Sequence, residues 1–195
     1  MGRFTQFIAV LTLSLGVIAQ VHASTVALDA NGQWNEFNVD DFSSASQGVE
    51  WIDVTDSNTS EFGSALTYQF TIANGFTGLL SVVDASFAGD RFEIFNNNQS
   101  LGLTSDTANN SAYSNNFASN LTNVNFSSAF FTLGEGTYNI SGALFSTLQP
   151  FNATNGAIKL EVTAVPLPST FGLMLTSVGL LAFMRRRARA QGPRA

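Results

Sequence analysis

Tyr68-Gln69-Phe70-Thr71-Ile72 alternates apolar and polar residues, and so do Arg91-Phe92-Glu93-Ile94 and Ile158-Lys159-Leu160-Glu161-Val162. A β-strand turns successive side chains to opposite faces, so a period of two marks a ribbon buried on one side. Leu79 to Val83, Ala129 to Leu133 and Tyr138 to Leu144 are further strand candidates, rich in β-branched or aromatic residues and bounded by Gly, Asn and Ser. Gly134-Glu135-Gly136 reads as a short hairpin connection between two of them, and Gly75 and Gly89-Asp90 punctuate in the same way. Nothing between residues 24 and 164 repeats apolar side chains at helical spacing. Short strands separated by turn signals predict an all-β domain, an antiparallel β-sandwich that is jelly-roll-like.

Eighteen phenylalanines in 195 residues suit such a domain, because at alternating strand positions they fill the space between two sheets. Trp34, Trp51, Tyr68, Tyr113 and Tyr138 are better suited than Phe to stacking on a sugar ring. Trp34 lies opposite Asn35, Phe37 and Val39 in the alternation, which predicts an exposed indole. Trp34 and Trp51 are the candidate glycan contacts. Residues 96–126 differ in texture, with Asn, Ser, Thr and Ala outnumbering apolar anchors. A long surface loop or a pair of short edge strands is expected there, with Leu101-Gly102-Leu103 as a brief strand. Asn-x-Ser/Thr sequons fall at Asn58, Asn98, Asn109, Asn120, Asn125, Asn139 and Asn152.

Charge divides the chain. All fourteen acidic residues lie between residues 24 and 164, where Arg91 and Lys159 are the basic ones, so this body carries −12 and the whole-chain value of −6 conceals it. A surface of that sign repels nucleic acid. Cysteine is absent, which removes disulfides, zinc thiolates and thiol nucleophiles. The single histidine, His22, precedes the body, so a body without it lacks the usual general base and the commonest zinc ligand. No Gly-x-Ser-x-Gly elbow or phosphate loop is present.

Carboxylate chemistry remains. A pair drawn from Glu36, Glu50, Asp53, Glu61 and Glu93 would suit glycoside hydrolysis, though nothing in their spacing marks one. Calcium is a better use of such oxygens, since it takes six to eight hard ligands and extracellular modules bind it weakly. Asp84, Asp90 and Glu93 flank one turn and are the candidate ligands; no resident cofactor is otherwise expected.

The two ends carry addresses. Arg3 supplies a basic start, Phe7 to Ile18 a short apolar core, and Val21-His22-Ala23 a small-residue site, which together predict a signal peptide over residues 1–23 with cleavage between Ala23 and Ser24. The body of residues 24–164 fits one domain. Residues 165–195 hold Val165-Pro166-Leu167-Pro168-Ser169-Thr170, an uncharged stretch from Phe171 to Met184, and the basic run of Arg185, Arg186, Arg187 and Arg189. Fourteen residues at about 1.5 Å each span roughly 21 Å, against a hydrocarbon core of about 30 Å, so the expected transmembrane helix is marginal. Pro168 suits its start, and the arginines would stay on the cytoplasmic side as a stop-transfer signal.

This tail resembles the PEP-CTERM sorting signal of Gram-negative bacterial surface proteins, in a Pro-Leu-Pro form with Leu167 where the family's name has glutamate. The resemblance implies an exosortase-type membrane protease as partner, recognising Val165, Pro166, Leu167, Pro168 and Ser169. Residues 82–96, 100–105 and 133–140 also resemble the β-sandwich body of many secreted PEP-CTERM proteins, for which the resemblance implies a surface or matrix component and no reaction. The expectation is a secreted, non-enzymatic protein of the cell envelope or exopolysaccharide, held at least transiently in the inner membrane by its C-terminal helix. A carbohydrate-binding module is the alternative, and a carboxylate-dependent glycoside hydrolase the third reading.

Overall fold

The computed structural model describes residues 23–42, 44, 48–53, 63–108, 111–150 and 153–166, together with scattered positions between 174 and 186. The expected signal peptide before Ala23 and the motif residues Leu167, Pro168 and Ser169 lie outside the described residues, as do Arg187 and Arg189. Met174, Thr176, Leu180 to Phe183, Arg185 and Arg186 are helical and exposed. Among the described residues no helix is long and apolar enough to cross a membrane, and much of the expected 171–184 helix falls outside them.

The body is predominantly antiparallel β-structure. Its strands are β1 (Ala23–Ala27), β2 (Asn35–Asp40), β3 (Ile52–Asp53), β4 (Ser64–Ile72), β5 (Phe76–Phe87), β6 (Asp90–Asn96), β7 (Gln99–Leu103), β8 (Tyr113–Ser114), β9 (Ser128–Leu133), β10 (Gly136–Thr147) and β11 (Ala153–Ala164), with one helical turn, α1 (Phe117–Asn120), before β9. They run in the order β7-β6-β10-β4-β3-β2-β11-β5-β8, with β1 added to β4 and β9 to β5. Among these strand pairs only β1 on β4 is parallel. The sheet curls nearly into a barrel, and the short β3 joins its halves by pairing Ile52 with Asn38 of β2 and with Ala65 of β4.

The period of two sets the core. In β4, Leu66, Tyr68, Phe70 and Ile72 are buried while Gln69 and Thr71 are exposed. They meet Leu80 and Val82 of β5, Phe92 and Ile94 of β6, and Ile158 and Leu160 of β11 in one apolar cluster. The two halves touch across it: Phe37 of β2 stands edge-on to Phe92 of β6, with ring centroids 5.1 Å apart.

One expectation changes. Gly134-Glu135-Gly136 does not close a hairpin, because β9 ends on β5, with Leu133 opposite Gly78, while β10 begins on β4, with Gly136 opposite Ile72. The connection carries the chain from one half of the sheet to the other, beside the Gly75 turn, which carries β4 into β5. A hydrogen bond from Asn74 Nδ2 to Glu135 Oε2 ties the two crossings together. Gly136, at φ 148°, supplies the bend.

The Asn-rich segment holds the two expected short edge strands, β7 and β8, and also covers part of β5. Ser81, Val83 and Ala85, on the side of β5 away from the apolar cluster, are fully buried. The segment is tied to β5 by hydrogen bonds from Asp84 N to Ser127 O and from Ala88 N to Ala112 O. Polar bonds do the fastening that apolar anchors would do elsewhere: Ser127 Oγ donates to Thr104 Oγ1, and Thr104 Oγ1 accepts from Phe92 N.

Candidate functional site

A cleft lies where β5 turns into β6 and β10 into β11. Its corner is made by Asp84. Asp84 Oδ2 accepts from the amides of Gly89 (3.2 Å) and Asp90 (3.3 Å), which bends the chain into β6. Gly89 sits at φ 121°, and Ser86 is left-handed at φ 60°, a conformation that costs an L-residue roughly 1–2 kcal/mol. Ser86 Oγ donates to Asn115 Oδ1, and the strained step turns Phe87 outward. On the facing wall Thr147 pairs with Asp90 in the ladder, Leu148 N donates to Gly89 O, and Thr154 Oγ1 donates to Asp90 Oδ2.

Ser86, Phe87, Asp90, Thr147, Gln149 and Thr154 line this cleft, with Pro150 and Ala153, around about 250 Å³. At its rim β8 pairs with β5 so that Tyr113 lies opposite Phe87, and their rings meet edge to face at 5.0 Å. Phe87 is 55% and Tyr113 60% exposed.

Electrostatics mark the corner. Asp84 is fully buried, and its Oδ1 has no hydrogen-bond partner among the described residues. Burial, and after it the neighbouring Asp90, pushes its carboxyl up to about 8, against the pull of the corner amides. At neutral pH Asp84 is therefore largely protonated.

The structure brings Asp84 and Asp90 together but leaves Glu93 elsewhere. Asp90 and Glu93 are three residues apart on one strand, so they point to opposite faces, and Glu93 accepts from Ser100 Oγ at 2.6 Å. Among the described residues no group of three or more His, Cys, Asp or Glu is arranged to hold a metal.

Trp51 is a correction. It is fully buried, stacked on Phe37 within the core, and cannot present a face to a sugar while the fold is intact. Trp34, expected to be exposed, is half-buried, and its ring is engaged: Lys159 Nζ lies 5.2 Å from its centroid and Phe117 5.9 Å away.

Of the carboxylates considered for glycoside hydrolysis, Glu36 and Asp53 share a shallow depression of about 260 Å³ with Tyr68, Val26, Asn35 and Leu66. Tyr68 donates its hydroxyl to the Glu36 backbone carbonyl at 2.6 Å. Burial first, then the charges of Asp53 and Glu36, holds the phenol well above its usual range, so it stays neutral. Ser24 Oγ donates to Asp53 Oδ2 at 2.9 Å. Glu50 accepts from Ser44 Oγ, and Glu61 lies outside the described residues.

Sequence reasoning missed Phe87. Nothing near it in sequence announces that it meets Tyr113, because that meeting depends on the pairing of β8 with β5.

No family model matches the sequence, and no curated protein does. Among solved structures the chain is similar to the pre-peptidase C-terminal domain of a collagenase from Bacillus anthracis, at 10% identity and a TM-score of 0.37, over 72% of this chain and 95% of that one. A likeness that loose says nothing about activity.

Proposed function

We propose that the chain is a secreted component of the cell envelope or extracellular matrix with a non-catalytic body, exported by its N-terminal signal and sorted through its tail by an exosortase-type membrane protease. The body is read as a β-sandwich of jelly-roll-like kind, which the facing halves of the sheet and the crossings between them support. The observation that carries the reading is how the strands meet the two addresses. β1 starts at Ala23, where the expected signal-peptide cleavage falls, and β11 ends at Ala164. Val165, the first motif residue, makes a last fastening to the body through its amide, donated to Gly75 O at 2.8 Å. Cleavage near Pro168 to Thr170 would then remove the tail without touching a strand of the body.

The test is peptide mapping of the native protein in separated membrane and extracellular fractions. The expected result is an N-terminus at Ser24 and an extracellular C-terminus between Pro168 and Thr170. An intact arginine tail found only in membranes would overturn the sorting reading and leave a plain anchor.

A further inference from the structure

We infer that the cleft at the Asp84 corner is a sugar-binding subsite, taking one ring of a neutral polysaccharide with Phe87 and Tyr113 as its stacking platform. The extracellular source of that polymer rests on the proposed function; the binding itself does not.

A pyranose has two kinds of surface, an apolar face of C–H groups and a rim of hydroxyls that both donate and accept. The cleft offers both in one place. Phe87 and Tyr113 leave more than half of their surface to solvent. Their edge-to-face packing fixes the two rings relative to each other. The same cleft is lined by the hydroxyls of Thr147 and Thr154 and the amide of Gln149, which can donate and accept, over the buried carboxylate of Asp90. An apolar platform with a few convergent polar groups is the composition expected of a small-molecule site.

The site is also built before the ligand arrives. The Thr147–Asp90 ladder pair, the bond from Thr154 to Asp90, and the corner amides held by Asp84 fix the polar wall, so little ordering remains to be done on binding. Charge selects the class of polymer. Among the described residues no Lys or Arg lines the cleft, Asp90 does, and the body around it carries −12. A uronic-acid or sulfated polymer would meet repulsion there, whereas a neutral one would not.

The experiment is native affinity electrophoresis of the purified full-length chain in detergent, through gels containing a soluble β-glucan, a galactomannan, or alginate as the acidic control. Retardation by at least one neutral polymer and none by alginate is expected. Phe87→Ala and Tyr113→Ala should each weaken binding about tenfold, since each removes one of the two stacking rings. Tyr113→Phe, which keeps the ring, and Trp34→Ala, which does not line the cleft, should bind as the parent does. Melting curves check that the ring variants fold; where they do not, Gln149→Ala on the polar wall carries the test and should also weaken retardation. No retardation by either neutral polymer, retardation that survives removal of both rings, or binding of alginate as tight as that of the neutral polymers would each overturn the inference. So would disappearance of a dimer in size-exclusion chromatography on removing the rings without any effect on glycan, which would identify a second copy of the chain as what covers them. Failure of tail processing would leave all of these outcomes unchanged.

Discussion

The indole of Trp51 lies face to face with the ring of Phe37, centroids 3.8 Å apart and planes 13° from parallel, and a glycine stands behind each: Gly142 behind Trp51, Gly156 behind Phe37. A Cβ at Gly142 would sit 2.2 Å from Trp51 Cε2, and one at Gly156 2.4 Å from Phe37 Cζ. Both rings are closed in on both sides. Gly142→Ala and Gly156→Ala should therefore each lower stability by about 1–3 kcal/mol through overpacking, and Trp51→Ala by about 3–5 kcal/mol through the cavity it leaves. Gly134, with open space where its Cβ would lie, is the control and should tolerate alanine. Urea denaturation followed by circular dichroism measures the series; an unchanged midpoint in Gly142→Ala would refute the close-packed stack.

Asp84 gives stability a pH dependence of definite sign. Its ordinary carboxyl value of 3.8 in the unfolded chain rises to about 8 in the folded one, so between these values the folded state holds a proton that the unfolded state lacks. Its contribution is complete below the unfolded value, is lost as pH climbs through the window, and levels off above about 8. Within the window the slope should approach, at most, about 1.4 kcal/mol per pH unit. Asp84→Asn keeps an oxygen for the amides of Gly89 and Asp90 without the charge. That variant should flatten the alkaline limb of a melting-temperature profile, and a limb as steep as the parent's would show that another group is responsible.

The same corner makes calcium binding testable. A proton on Asp84 already relieves the repulsion with Asp90, and Glu93 points away. The melting temperature in millimolar calcium should consequently match that in chelator. A calcium-dependent rise that disappears in Asp90→Asn would instead make a cation the counter-charge.

Asn120 is a sequon residue that the fold has already used. It is 1% exposed, and its Nδ2 donates to Asp84 O and Ser114 O. Expressed in a glycosylating host, folded protein should carry glycan at exposed Asn98 and none at Asn120, as read by glycopeptide mapping. Asn120→Asp would set a carboxylate against two carbonyls, and the expected loss is about 1–3 kcal/mol.

Whatever depends on near neighbours is legible in the sequence. Tyr68 to Ile72 declares its strand because burial on one face imposes a period of two, and the bend near Gly89 declares itself because the chain must reverse there. The separation of Glu93 from Asp90 is legible by parity as well: three residues along a strand is the opposite face. Partnership is not legible. A glycine turn serves a hairpin and a crossing equally well, so Gly134 to Gly136 cannot announce that β9 and β10 lie on different halves of the sheet. Nor can Trp51 announce its burial, since the space it fills is left by Gly142, far along the chain. Phe87 and Tyr113 belong to the same class: their meeting exists only through the pairing of β5 with β8.

The position of β11 has a consequence for how this body comes into being. The last strand of the sheet is inserted between β2 and β5, pairing along much of its length with both. Until it arrives, β2 and β5 have open edges facing one another, and a chain emerging from its N-terminus must wait, unsealed, for the twelve residues of β11. Closure is then a single late event, and anything that detains the C-terminal end near the site of delivery gives that event time to occur before the unsealed edges meet those of another chain.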